Sequence, residues 1–211
     1  MLDQLSLLDW KRQVFGLYAE VRAAPDPVEG WRRWRGVRDD LFATHPQSPL
    51  PEHARERFQG LDYFDYDPAC RVIGTVSEAQ PKHYEIGASG GGSFAFDRFA
   101  SVRFELRGEP GELELYWLEG YGGGLFLPFA DAMSGGETYG AGRYLFDTVK
   151  GADLGTEDGG LAMDFNFAYN PSCSYDPAWV CPLAPPPNRL AFAVLAESFA
   201  RSVRLLPRPG G

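Results

Sequence analysis

Near residue 61 the spacing of apolar side chains changes from about 3.6 residues to 2, and no single type of secondary structure satisfies both halves. Before the switch, residues 4–22 ("QLSLLDWKRQVFGLYAEVR") place Leu7, Leu8, Trp10, Val14, Leu17, Tyr18 and Val21 near one helical stripe. "AAPDP" ends that helix, and Asp26 followed by Pro27 supplies an N-cap with proline at the first helical position of a second. The second helix runs to about Phe42, with Trp31, Trp34, Val37, Leu41 and Phe42 at helical spacing. Arg32, Arg35, Asp39 and Asp40 face elsewhere, and Gly36 weakens the middle by about 1 kcal/mol relative to Ala. The prolines of "THPQSPLP" force an extended segment, and "PEHARERF" reads as a short helical turn. After the switch come "RVIGTVS", "KHYEIGA", "SFAFDRFASVRFELRG", "GELELYWLEGY", "GLFLPFADA", "GAGRYLFDTV", "LAMDFNFAYN" and "RLAFAVLAES", alternating or β-rich runs at intervals of about 10 to 15 residues.

This pattern predicts a mainly β fold: an antiparallel meander of about eight strands forming a barrel or curled sandwich, with two to three N-terminal helices covering an open end or face. A length of 211 residues with 44% apolar content suits a single domain, 1–211. Within it, 1–58 is a helical segment packed on the sheet, 61–200 a β-barrel-like body and 207–211 a loose tail.

A net charge of -9 and a pI near 4.8 oppose binding to phosphate backbones or anionic membrane faces. Nucleic acid and membrane are therefore not expected partners. The first residues lack the charged start, continuous apolar core and small-residue cleavage site of a signal peptide, so a cytoplasmic location is expected. Cys70, Cys173 and Cys181 are too few for a disulfide scaffold. No nucleophile elbow, phosphate loop, dinucleotide fingerprint or zinc-ligand quartet appears, so no reaction and no cofactor is named by motif. The glycine clusters "GYGGGLF" and "SGGETYGAG" read as turns: Gly122 to Gly124 permit a sharp reversal, and Gly140 and Gly142 relieve crowding.

Chemistry concentrates in the last third of the chain. Strand alternation in "AMDFNFAYN" puts Met163, Phe165, Phe167 and Tyr169 on one face and Asp164, Asn166 and Asn170 on the other. If the polar face points into a barrel, the carboxylate needs a partner, and Arg143 is the natural one, a guanidinium fork suited to Asp164, Glu137 or a ligand anion. Seven residues separate Cys173 from Cys181, too many for a close metal pair, so two packed thiols or a bridge are expected and no metal site. Among three histidines, His45 is the candidate base, held by Pro46 beside Gln47 and Ser48, while His53 and His83 sit in polar, exposed surroundings.

The strings "RDDLFATHPQSPL", "LEGYGGGLFLPFADAMSGGETYGAGRYL", "DTVKGADLG" and "DFNFAYNPSCSYDPAWVCPLAPPPNRL" resemble the bacterial and archaeal domain-of-unknown-function family numbered 1684, over roughly residues 30 to 195. The resemblance implies a compact module of about this size and carries no reaction, cofactor or catalytic residue. Three expectations follow from the residues. The first is a small polar or anionic molecule bound by Glu137, Arg143, Tyr144, Asp164 and Asn166, with Gln47 and Ser48 on a closing loop. The second is a small-molecule hydrolase or isomerase with His45 or Asp164 as general base, in a metal-assisted version with Cys173 as well. The third is a homo-oligomer joined through Trp117, Tyr121, Phe126 and Phe129.

Overall fold

The computed structural model describes residues 3–195, and the backbone alone of 198–205. Helix α1 spans Asp3–Ala23, α2 spans Pro27–Thr44 and α3 spans Glu52–Arg55. The Asp26 carboxylate accepts from the Val28 backbone N–H, so the α2 start is capped as its sequence requires.

The strands are β1 (Phe58–Tyr63), β2 (Arg71–Gly87), β3 (Ser93–Leu106), β4 (Glu109–Leu118), β5 (Gly124–Phe129), β6 (Arg143–Asp147), β7 (Thr156–Glu157), β8 (Gly160–Asp164) and β9 (Ser198–Leu205). Seven form one antiparallel sheet in the order β6-β5-β4-β3-β2-β8-β7, and β1 pairs with β9 separately. The expected meander is β2 to β6. Two-residue turns with both φ positive join β3 to β4 at Arg107-Gly108 and, outside the meander, β7 to β8 at Asp158-Gly159.

The sheet does not close into a barrel. The chain after β8 reaches the far edge and touches β6 through an isolated bridge between Tyr144 and Tyr169 instead of a ladder. The face that buries Ala100, Val102, Phe104, Leu113 and Leu115 packs against Trp31 and Trp34 of α2. Arg103, Glu105 and Glu112 alternate with these and are exposed, so the sheet is wetted on its other side.

Three strand expectations are corrected. "RVIGTVS" and "KHYEIGA" are one strand, with a register shift between Glu78 and Lys82 that accommodates Pro81. The alternation over 163–170 stops at Asp164: its carboxylate accepts from the Asn166 N–H and starts a 3-10 turn, Phe165–Phe167, so Asp164 and Asn166 are buried together with Phe165 and Phe167. "RLAFAVLAES" forms no strand over 189–195; β9 begins at Ser198. The expected tail 207–211 lies outside the described residues. Of the proposed association patch, Trp117 and Tyr121 are exposed, whereas Phe126 and Phe129 are 3% and 0% exposed and belong to the core.

Candidate functional site

A small cleft of about 80 Å³ opens between α1, α2 and the segment 169–172. Its floor is made by α2, where Trp34, Arg38 and Phe42 follow one another at four-residue spacing and so share a face. The Arg38 guanidinium carbon lies 4.6 Å from the Trp34 ring centre, 5.4 Å from that of Phe42 and 5.1 Å from that of Tyr169. Arg38 Nε donates to the Tyr63 hydroxyl at 3.2 Å. Nη2 is buried and donates to no protein atom, and neither does the buried Tyr18 hydroxyl, which the Trp34 indole faces.

The cleft thus presents hydrogen-bond donors and a fixed cation within aromatic walls. Burial pulls the Arg38 pKa down, and the phenols of Tyr63, Tyr175 and Tyr18 raise it past that loss, so the guanidinium stays charged. Burial pushes the Tyr18 hydroxyl up to about 12, which keeps its proton in place at neutral pH. Lys150 stands at the rim, 3.3 Å from the Asp147 carboxylate and half exposed. Among the described residues lining the cleft there is no carboxylate. A cavity of this composition suits an anionic or carbonyl oxygen attached to an apolar body.

The residues singled out from sequence are scattered over the fold. Tyr144 alone lines this cleft. Arg143 is fully buried and pairs with Asp131, Nη2 to Oδ2 at 2.9 Å, rather than with Glu137 or Asp164. It also donates to the Val194 carbonyl and stacks 4.9 Å from Phe129. Glu137 is exposed in the turn before β6.

Asp164 lines a separate cleft with Arg22, Arg71 and Glu157, and Asn166 is buried beside it. The carboxylate accepts from the Tyr66 hydroxyl at 3.0 Å, the Asn166 backbone N–H at 3.0 Å and Asn166 Nδ2 at 2.7 Å. Burial raises its pKa, with the Asn166 and Tyr66 bonds opposing. Asn166 in turn exchanges two 2.9 Å bonds with the Asp67 backbone, so the pair fastens the segment before β2 to the end of β8.

His45 closes α2, its backbone N–H bonding to the Leu41 carbonyl. Its Nδ1 accepts from the Gln47 N–H at 3.0 Å and its Nε2 meets Asp9 Oδ2 at 3.2 Å. Gln47 reaches Ser6 of α1, and Ser48 Oγ donates to the Phe42 carbonyl at 2.6 Å. Both ring nitrogens are therefore occupied in tying α2 to α1. His45, Asp164 and Cys173 do not form a metal cluster; among the described residues, the donors that do gather are those of His83, Asp97 and Glu119, all exposed on the sheet. Sequence reasoning passed over Arg38. The available signal was the four-residue spacing of an arginine between Trp34 and Phe42 on the stripe assigned to the core.

A family model described as "Protein of unknown function (DUF1684)" matches residues 56–197. The match begins beyond α2, so Arg38 precedes it, while Asp131, Arg143, Asp164, Cys173 and Cys181 lie inside it. Among solved structures, the solution NMR structure of an uncharacterized protein of Haloarcula marismortui is similar, with 34% identity and a TM-score of 0.57. The similarity covers 79% of this chain and 91% of that one. Comparison with curated proteins finds no match.

Proposed function

The chain belongs to the DUF1684 family, and from that premise we propose that it binds a small organic anion, a carboxylate or phosphate ester with an apolar or aromatic body, in the cleft floored by Arg38. The observation that carries this reading is Arg38 Nη2: a permanently charged group, buried among three rings, with no protein acceptor. A buried charge without a counter-ion is costly to the fold, and an incoming anion would relieve that cost. Tyr18 and Lys150 offer further donors on either side of the expected head group. The ligand reading thereby moves from Arg143, whose partner is Asp131, to Arg38.

A panel of aromatic and aliphatic carboxylates and phosphate esters, each paired with its neutral amide or alcohol, tests this by thermal shift. A ligand present at 100 times its Kd adds about 2.7 kcal/mol, equivalent to roughly 5 to 10 °C for a chain of this size. Acids should shift the melting temperature and their neutral counterparts should not. Arg38→Met should abolish the shift while remaining folded, since methionine fills the same aromatic slot. Equal shifts from acids and amides, or a shift that persists in Arg38→Met, would refute the assignment.

A further inference from the structure

Independently of that ligand, the segment that follows Pro171 brings two of the three cysteines together. Cys173 sits in the 3-10 turn Ser172–Ser174, and Cys181 precedes Pro182, whose carbonyl accepts the Tyr144 hydroxyl. Cys181 Sγ accepts from the Cys173 backbone N–H at 3.4 Å, which makes the two thiols neighbours. The Tyr139 hydroxyl lies 3.7 Å from Cys173 Sγ. Ser89 secures the returning strand, its Oγ accepting from the Cys181 N–H at 3.1 Å and donating to the Trp179 carbonyl at 3.1 Å. Both thiols are free. A second cleft, of about 310 Å³, has Cys181 in its wall beside Trp10, Gln47, Lys150 and Trp179.

We propose that Cys173 and Cys181 form a redox-active dithiol, which a hydroperoxide converts to a disulfide, Cys173 attacking and Cys181 resolving. Neighbouring thiols titrate as a pair, so that once one thiolate has formed a second ionisation is harder. The neighbouring Cys181 thiol, and against the cost of burial the Tyr139 hydroxyl, hold the Cys173 thiol below its ordinary value, while Cys181 is pushed up.

The Cys173 thiolate attacks the terminal oxygen of the hydroperoxide; the O–O bond breaks, an S–O bond forms, and the alkoxide leaves with the proton that Cys173 had released. Cys181 then attacks the sulfenic sulfur; an S–S bond forms, the S–O bond breaks, and hydroxide departs as water with the Cys181 proton. The two thiols lose two electrons and the peroxide becomes an alcohol and water. An external dithiol returns the pair to its reduced form. Cys70 supplies an internal control, since burial raises its pKa to about 11 and its sulfur contacts Asp67 instead of another thiol.

The full chain, reduced and then given one equivalent of hydrogen peroxide at pH 7, should drop from three titratable thiols to one, and peptide mapping should find a 173–181 link with Cys70 intact. The pair should be consumed at least about tenfold faster than Cys70. In Cys181→Ser the product should be a sulfenic acid on Cys173, trapped by a cyclic dione. Iodoacetamide labelling of Cys173 in the unaltered protein should follow a midpoint below the ordinary thiol value. Loss of Cys70 at the rate of the pair, links only between chains, or a labelling midpoint at the ordinary thiol value would overturn the proposal.

Discussion

Replacing Arg143 by Met separates a structural ion pair from a ligand contact. Arg143 and Asp131 are both 0% exposed. Asp131 Oδ2 takes the Arg143 Nη2 proton at 2.9 Å and the Val194 N–H at 2.7 Å, and Oδ1 takes the Ser134 hydroxyl at 3.0 Å. Methionine can occupy the space above Phe129 but leaves a carboxylate in the core with two neutral donors. Breaking one side of a buried pair costs about 3 to 5 kcal/mol. At 2 to 4 °C per kcal/mol for a chain of this length, the melting temperature should fall by roughly 6 to 20 °C. The double variant Arg143→Met with Asp131→Asn removes the stranded charge while keeping an acceptor for Val194 and Ser134, and should recover at least about 1 kcal/mol of that loss. Urea unfolding followed by tryptophan fluorescence measures both, with five tryptophans reporting. A single variant melting within about 2 °C of the parent, or a double variant no better than the single, would show that the pair does not carry this part of the fold.

Asp164→Asn tests the carboxylate at the end of β8. Burial raises the folded pKa of Asp164 above the unfolded value, so its contribution to stability is complete below the unfolded pKa of about 3.8 and is lost as pH rises through the folded value. The parent should therefore gain on the variant, in denaturant midpoint, as pH is lowered from 7 to 4; a gain in the opposite direction would mean that the hydrogen bonds outweigh burial. Gly142 has φ +94, and a Cβ there would lie 2.7 Å from the Phe129 carbonyl oxygen and 2.6 Å from Ala184 Cβ. Gly142→Ala should cost about 2 kcal/mol or more in thermal unfolding, and a neutral result would show that the turn before β6 can relax.

The change of apolar period near residue 61 and the Asp26-Pro27 cap were legible because each is local: backbone geometry and one-sided burial constrain residues that are neighbours in sequence. On that basis the helical start and the meander from β2 to β6 follow from the letters alone. The open sheet, the joining of two runs into one long β2 and the pairing of β1 with β9 depend on how segments far apart in the chain meet. Side-chain partnership is of the same kind. Arg143 had plausible acceptors at Glu137 and Asp164, yet the turn after β5 delivers Asp131, and alternation across Asp164 ends because that carboxylate caps its own 3-10 turn. Arg38 was hidden by the reverse effect, a charge standing on an apolar stripe, where only the Tyr169 ring and the Tyr63 hydroxyl arriving from elsewhere complete its surroundings. Periodicity fixes which way a backbone runs and which face is oily; the identity of the group that meets a buried charge is set by contacts across the fold, which no local pattern encodes.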